Sequence, residues 1–260
     1  MKRVLRLFYL FSKYSLKSTF LNVSGVILYT IGKALRFMIF FSFVYFIMTK
    51  TRLLAGYNLQ QMLVFFLTYN ILDTIAQILF REVYRFRQLV VSGELDTILV
   101  KPYHPFSRIL IGGVDFIDVL MAVPYISLLI WFIVQTHIIT GIGSIMYVLL
   151  CLNALVIACG LHIIVLALGI LTTEVDHTIM IYRDLSRFGS FPIDIYREPI
   201  KGIFTFIIPI GVMMSFPAKA LFGLLEPEFI IMSFGMGMLF LGIGLYAWEK
   251  ATERYQSWGS

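Results

Sequence analysis

Three aspartates lie in or beside long apolar stretches of the 260-residue chain, where a carboxylate could do chemistry. Asp73 interrupts the stretch FFLTYNILDTIAQILF, and Asp115 and Asp118 lie in GGVDFIDVL. A charged side chain at the centre of a membrane helix costs about 2.5–3.5 kcal/mol, so such residues are usually paired or line a cavity. One interpretation is that these carboxylates carry protons. In the other, Asp115 and Asp118 lie near Arg108 or interfacial water, and Asp73 is hydrogen-bonded to a neighbouring helix.

Other sequence patterns that carry chemistry are missing. There is no GxxxxGK[ST] phosphate-binding loop, no HExxH zinc motif and no GxSxG nucleophile turn. The four histidines are scattered rather than placed at metal-ligand spacing; they are His104, His137, His162 and His177. We therefore expect no enzymatic activity, no metal site and no cofactor.

The composition predicts an all-α integral membrane protein. Hydrophobic residues make up 59% of the chain and charged residues 14%, with a mean hydropathy of +0.88. A membrane helix needs about 20 predominantly apolar residues, because only a helix satisfies its own backbone hydrogen bonds in lipid. One transmembrane domain, residues 1–260, is predicted to contain six spans, at about 26–48, 59–80, 109–134, 144–171, 203–225 and 229–248.

Two of these spans are irregular. Lys33 and Arg36 lie in the first, whose basic end can extend its long side chains to the lipid headgroups. Pro209 and Pro217 interrupt the fifth, and proline removes a helical hydrogen bond. We therefore predict a re-entrant segment between spans five and six.

The basic residues predict the orientation. With both termini in the cytoplasm, 18 of the 21 lysines and arginines lie inside, which agrees with the positive-inside rule. The inside group includes Arg183, Arg187, Arg197 and Lys201, and the three residues left outside are Lys50, Arg52 and Lys219. The net charge of +6 is explained by topology and by anionic lipid, and no feature indicates nucleic acid.

The first twenty residues predict an amphipathic helix that lies in the membrane interface. Basic residues fall near one helical face, namely Lys2, Arg6, Lys13 and Lys17. Apolar and aromatic residues fall on the other, namely Val4, Leu7, Phe8, Phe11 and Tyr14. A helix with these two faces can lie in the headgroup plane before the chain enters the first span.

A polar segment between spans two and three has a regular pattern. From Arg81 onward, helical spacing places Val83, Phe86 and Val90 on one face, and Gly93 is a typical helix end. A second short helix follows, with an apolar stripe of Leu95, Ile98 and Leu99 and an acidic side that includes Glu94 and Asp96. We predict that this segment presents both sides to a partner.

This segment carries a resemblance to a known family. Residues 93–102, GELDTILVKP, are similar to the G-x-L-D-x-x-L-x-[KR]-P signature of ABC-2 type permeases, the membrane subunits of bacterial ABC exporters. Further similarities follow in order along the chain: FPIDIY at 191–196, Ile208-Pro209, Pro217, Leu221 and YQSWG at 255–259.

The resemblance implies a permease in the bacterial cytoplasmic (inner) membrane that pairs with itself or with a second permease and binds two separate ATPase subunits. The segment between spans two and three would be the coupling helix, with Gly93, Glu94, Leu95, Asp96, Ile98, Leu99, Lys101 and Pro102 as the coupling residues. The N-terminal helix would be the connecting helix. The sequence does not identify the exported molecule, which is expected to be amphipathic or hydrophobic: a hydrophobic drug, a lipid-linked glycan, a peptide and a natural product all fit.

Two other functions stay open from the sequence. An ion-coupled secondary transporter would use Asp73, Asp115 and Asp118 and would work without ATP or a partner. A non-transporting scaffold subunit would copurify with partners but would not need ATP turnover.

Overall fold

The computed structural model describes residues 2–110, 112–135, 141–172 and 175–255, with the backbone alone at residues 2–5, 7, 18, 22 and 175. Most of these residues are helical, and none of them lies in a β-strand. The first helices are α1 (Lys2–Thr19), α2 (Val23–Thr51), α3 (Leu59–Phe80), α4 (Phe86–Val91), α5 (Glu94–Leu99) and α6 (Phe106–Ile109). They are followed by α7 (Phe116–Gln135), α8 (Gly141–Thr172), α9 (Val175–Ser186), α10 (Ile200–Gly202), α11 (Phe216–Leu221) and α12 (Pro227–Glu253).

Five helices are long and apolar enough to cross a membrane. They are α2, α7, α8, α12 and the continuous segment Leu59–Val91, which contains α3 and α4. A sixth is reached if one bent helix pair counts as a span. The all-helical, multi-span prediction is therefore confirmed. The capping box at Asn58 explains why α3 begins where the apolar pattern does, because its side chain accepts from the Gln61 N–H and Gln61 caps Asn58 in return.

The third span begins later than the sequence suggested, at Phe116 rather than near residue 109. The cause is the Gly112-Gly113 pair. Gly112 has φ of +46°, and a β-carbon on Gly113 would lie 2.6 Å from the carbonyl oxygen of Phe11 in α1. The chain therefore passes close to α1 in a non-helical form before α7 starts.

The predicted fifth span does not run straight. Ile200–Ile207 and Gly211–Leu221 meet at an angle of 82° near Pro209. Lys201 Nζ lies 3.0 Å from Asp194 Oδ1, and Lys219 Nζ lies 2.5 Å from Asp194 Oδ2. Both ends of the segment 201–219 therefore meet at one carboxylate, whereas a straight membrane helix would separate them by roughly 30 Å.

The two ends of the bundle differ, and we name them by their residues. The terminal face contains residues 81–110 and 248–255, where the ring of Trp248 lies 5.0 Å from that of Phe106 and 6.4 Å from that of Phe86. The loop face contains residues 52–58 and 194–226, where the ring of Phe222 lies 5.8 Å from that of Phe65 at the start of α3.

Helices α8 and α12 run parallel and in close contact. A β-carbon on Gly160 would lie 2.5 Å from the backbone of α12, and one on Gly244 would lie 2.7 Å from the Gly160 carbonyl oxygen. Asn153 Nδ2 donates to the Ser233 carbonyl oxygen at 2.8 Å, near the other end of the contact. Small residues thus let the two backbones approach, as is common between membrane helices.

Candidate functional site

The knob, residues 93–102, lies on the terminal face. Gly93 adopts a left-handed conformation with φ of +72°, which ends α4 and allows the chain to begin α5. The predicted helix break and the second short helix are thus present in the structure. Thr97 Oγ1 donates to the Glu94 carbonyl oxygen at 2.8 Å within this turn.

The apolar stripe of the knob is used inside the protein. Leu95 and Ile98 are fully buried and belong to the same hydrophobic cluster as Phe86, Val90 and Trp248. The stripe therefore anchors the knob to the rest of the chain, which differs from the sequence interpretation that it faces a partner. Phe86 and Val90, which share one face of the preceding helix, are buried as well.

The outward side of the knob is polar apart from Val100 and Pro102. Glu94, Lys101 and Pro102 are exposed, and Val100 is 84% exposed. Asp96 and Leu99 are half-buried. A solvent-exposed valine beside a carboxylate and a lysine is a small mixed surface on an anchored helix.

Two of the three candidate aspartates form ion pairs at the beginning of α7. Asp118 pairs with Lys33 of α2, and Asp115 pairs with Arg81 at the end of α3. Both carboxylates are nearly buried, with side-chain exposures of 5% and 6%. The second sequence interpretation, which placed Asp115 and Asp118 near Arg108 or interfacial water, is therefore wrong about their partners. Because α7 begins between α2 and α3, Lys33 and Arg81 lie closer to these carboxylates.

Asp73 has a different environment. Its Oδ2 accepts a hydrogen bond of 2.7 Å from Gln77 Nε2, one turn further along α3. The expected bond to a neighbouring helix is therefore replaced by one within the same helix. The carboxylate also lies within electrostatic reach of Arg183, Lys33 and Arg36.

Glu82 takes the place that the sequence had given to Asp115 as the partner of Arg108. The Arg108 guanidinium donates to Glu82 Oε2 at 2.5 Å, and Arg85 Nη1 lies 3.5 Å from Glu82 Oε1. Glu82 is 5% exposed, so these two arginines compensate a buried charge. The sequence signal for these pairs is the glutamate among arginines in LFREVYRFR. The sequence interpretation used this stretch only to separate a basic face from an apolar face.

A cavity of about 1040 Å³ opens between α2, α3, α7, α9 and the turn after α9. Its walls carry four cations and two carboxylates, namely Lys33, Arg36, Arg183, Arg187, Asp73 and Asp184. Polar side chains such as Asn70 and Gln77 complete this part of the lining. The sequence did not indicate this cavity, because its charges come from helices that are more than 30 residues apart in the chain.

The part of the cavity nearer the loop face is aromatic. Phe40 lies at the centre of this group, with its ring centroid 5.1 Å from that of Phe66 and 5.5 Å from that of Phe191. The ring of Phe37 lies 5.4 Å from that of Phe66. The cavity therefore has a charged end and an aromatic end, an arrangement suited to a molecule with one polar and one apolar part.

A second charged cluster lies on the loop face around Asp194. Besides Lys201 and Lys219, the Tyr57 hydroxyl donates to Asp194 Oδ2 at 2.7 Å. Burial by itself raises the pKa of Asp194, but the hydrogen bonds from Lys219, Tyr57 and Lys201 outweigh it and lower the pKa to about 2. The carboxylate is therefore ionised at neutral pH and ties three separate segments together.

The residues that the structure describes contain no group of three or more histidine, cysteine or acidic side chains that could hold a metal ion. What they do form is a multi-span helical bundle with a cavity lined by charged and aromatic side chains, an arrangement found in membrane transport proteins. A comparison with known families identifies the kind: the model of the ABC-2 family transporter proteins matches residues 33–259, so the chain belongs to that family.

Membership of this family defines the general role of the protein. The protein is a multi-pass membrane component of an ABC transporter, in a family whose members associate with ABC ATPase subunits in a dimeric arrangement and have no catalytic activity of their own. The sequence resemblance is confirmed. No curated protein and no solved structure matches the chain.

Proposed function

We propose that the chain is the permease subunit of an ATP-driven exporter and that the knob is where an ATPase subunit binds. The observation that carries this proposal is the division of the knob into an anchored side and a free side. Leu95 and Ile98 join the knob to the buried cluster of the helical bundle, while Glu94 and Val100 are exposed. A force applied to the exposed side therefore reaches the membrane helices through packed side chains, since closely packed interiors transmit strain.

The double variant Glu94→Lys/Val100→Asp tests this role. It reverses a charge and places another on the apolar contact, and a charge mismatch at an interface can cost several kcal/mol. We expect normal levels in the membrane, together with loss of ATPase copurification or ATP hydrolysis that no longer drives export. Leu95→Ala is unsuitable because removal of a buried leucine destabilises the protein itself by about 2–5 kcal/mol.

The matched control is Leu224→Asp/Glu226→Lys, which makes the same chemical changes at exposed positions of the loop face. It should leave ATPase binding and coupling unchanged. Normal ATPase binding and coupled turnover in the knob variant would refute the assignment of residues 93–102.

The orientation that we propose has both termini in the cytoplasm of a bacterial cell, with the protein in the inner membrane. The ion pairs of Asp194 support moving Lys201, and with it the neighbouring Arg197, to the outer side together with Lys219. Arg183 and Arg187 lie in the segment proposed as the fifth crossing. The inside group therefore falls from 18 to 14 of the 21 basic residues, against five outside, namely Lys50, Arg52, Arg197, Lys201 and Lys219. The asymmetry still favours cytoplasmic termini.

The fifth crossing is proposed to be residues 175–193 rather than 203–225. Near the start of α9, Asp176 lies 3.5 Å from Arg87 of the terminal face. Asp194, eighteen residues later, is bonded to Tyr57 of the loop face. About 20 residues are enough to cross the apolar layer, so the segment from Ile200 to Leu221 is left to fold back from the outer side as the re-entrant hairpin.

Helix α1 is proposed to be the interfacial connecting helix. Two contacts support this. The Arg108 guanidinium of the terminal face lies 5.4 Å from the ring centre of Phe11, and Ser12 Oγ accepts from the N–H of Val114, just before α7, at 3.3 Å. Lys13 and Lys17 are exposed and free to meet anionic headgroups. The complete transporter would contain two permeases, identical or different, and two ATPase subunits.

The ion pairs of Asp115 and Asp118 favour a structural role over proton transport. Each carboxylate is held by a cation, and removing one member of a buried pair is strongly destabilising. An ion-coupled transporter would nevertheless work without the ATPase, and a scaffold would bind it without requiring turnover. Either result with the intact complex would contradict the exporter proposal.

A further inference from the structure

Two arginines in the cavity lack a counter-charge in direct contact. Lys33 is paired with Asp118, and Arg187 lies 2.9 Å from Asp184. For Arg36 and Arg183 the described part of the chain provides no ion pair, although both line the cavity.

The surroundings of these arginines leave a net positive charge. Arg183 lies over the ring of Tyr84, with its guanidinium carbon 5.6 Å from the ring centre. The carboxylate that both arginines influence is Asp73, which accepts from Gln77 and is in salt-bridge contact with neither. Two guanidinium groups thus share one acidic neighbour. Both side chains are exposed, so their N–H donors are open to a bound molecule, and a cation on a membrane-spanning helix usually has a counter-charge.

A guanidinium group has a planar set of donors that matches phosphate, sulfate and carboxylate oxygens. An anionic group near Arg36 and Arg183 would therefore restore the charge balance at this end of the cavity. One helical turn further along α2 from Arg36, Phe40 begins the aromatic end with Phe66 and Phe191. The volume of about 1040 Å³ is sufficient for a drug-sized or lipid-sized molecule.

We propose that the cavity binds an amphipathic anion, with its acidic headgroup at Arg36 and Arg183 and its apolar body against Phe40, Phe66 and Phe191. This inference rests on the proposed transport function, because it assigns the chemical class of the transported molecule. A free inorganic anion lacks the apolar body, and a zwitterionic or cationic lipid lacks the net negative headgroup. Both are therefore expected to bind weakly.

The test uses the full chain in phosphatidylcholine nanodiscs, without ATP or an ATPase subunit. Binding is measured by isothermal titration with three probes: dihexanoyl phosphatidic acid, dihexanoyl phosphatidylcholine and inorganic phosphate. We expect the phosphatidic acid to bind at least tenfold more tightly than either of the others. Phosphate binding of equal strength would reduce the site to an anion site, and equal phosphatidylcholine binding would show no charge selectivity; each of these results would overturn the proposal.

Variants connect the binding to the two arginines. Arg36→Ala/Arg183→Ala should weaken phosphatidic acid binding by at least tenfold, and Arg36→Lys/Arg183→Lys should retain part of it. Arg254→Ala removes an exposed cation from the chain end and should change nothing. Unchanged binding in the double alanine variant, with a normal elution profile on size-exclusion chromatography, would refute the assignment.

The result is independent of the coupling test. Binding is measured without the ATPase, so an error in the knob assignment leaves this measurement unaffected. Conversely, the knob variant could uncouple export as expected although the cavity binds the three probes equally well. In that case only the proposed substrate class would be wrong.

Discussion

The Asp194 cluster yields the most quantitative prediction. Asp194→Asn removes the carboxylate charge that holds Lys201 and Lys219 while nearly preserving the shape of the side chain. Lys219 is 14% exposed and would keep its charge without a counter-ion, which is the costly half of breaking a partly buried pair. The loop between α2 and α3 would also lose a charge-assisted bond from Tyr57.

The lowered pKa sets the magnitude of the effect. A fall from 3.8 to about 2 corresponds to about 2.5 kcal/mol of preference for the ionised form in the folded protein. Lys201 is 40% exposed and its contribution is screened, so we expect a loss of about 1–2 kcal/mol. For a chain of this length that is a decrease in Tm of about 2–8 °C.

Thermal unfolding of the detergent-solubilised protein at pH 7 measures this change. Glu226→Gln, an exposed carboxylate on the same face, is the control and should shift Tm by less than about 1 °C. The double variant Asp194→Asn/Lys219→Met should recover part of the loss, because it removes the unpaired cation. A decrease below about 1 °C in the single variant, or strictly additive effects in the double one, would refute the reasoning.

The pH dependence has a definite sign. Because the folded-state pKa of Asp194 lies below its ordinary value, the stabilisation is fully present above about pH 4 and is lost as the pH falls towards 2. The wild-type protein should therefore lose more Tm than Asp194→Asn between pH 5 and pH 3. Parallel pH curves for the two proteins would contradict an ionised Asp194 in the folded state.

Two further predictions concern the topology and the packing. A single cysteine at Arg197 should react with an impermeant maleimide from outside whole cells, whereas one at Thr97 should react only after permeabilisation; the reverse pattern would invert the proposed orientation. Gly160→Leu should reduce the amount of folded protein and lower its Tm, because a β-carbon there already meets the backbone of α12 at 2.5 Å, while Gly235→Leu enters open space and should behave like wild type. Equal Tm values for the two leucine variants would show that the α8–α12 contact is looser than the structure indicates.

The course of α3 shows how much local sequence can predict. The apolar stretch 59–80 coincides with the helix, because its length, its Asn58 capping box and its composition are all properties of neighbouring residues. The break at Gly93 was predictable for the same reason, since a left-handed turn between two short amphipathic patterns favours glycine. Pro209 and Pro217 likewise predicted an interruption in 203–225, and the helices there meet at 82°, but apolar composition alone is compatible with a broken span and with a re-entrant pair of helices.

The candidate site was much less predictable. The intramembrane position of Asp73, Asp115 and Asp118 was evident from the sequence, but the partners of Asp115 and Asp118 were not, because Arg81 and Lys33 approach them only when α2, α3 and α7 pack together.

The sequence by itself determined that this protein is a helical membrane protein of the ABC-2 family, since hydrophobicity over about 20 residues and the order of short motifs are both local information. The tertiary structure decided which faces are free. The stripe with Leu95 and Ile98 has the same periodicity whether it meets a partner or the protein's own core, and only packing shows that it is buried. The cavity likewise depends on tertiary structure, because Arg36 and Arg183 line it together although well over a hundred residues separate them in the chain. The periodicity of a single helix cannot specify a contact between two distant helices.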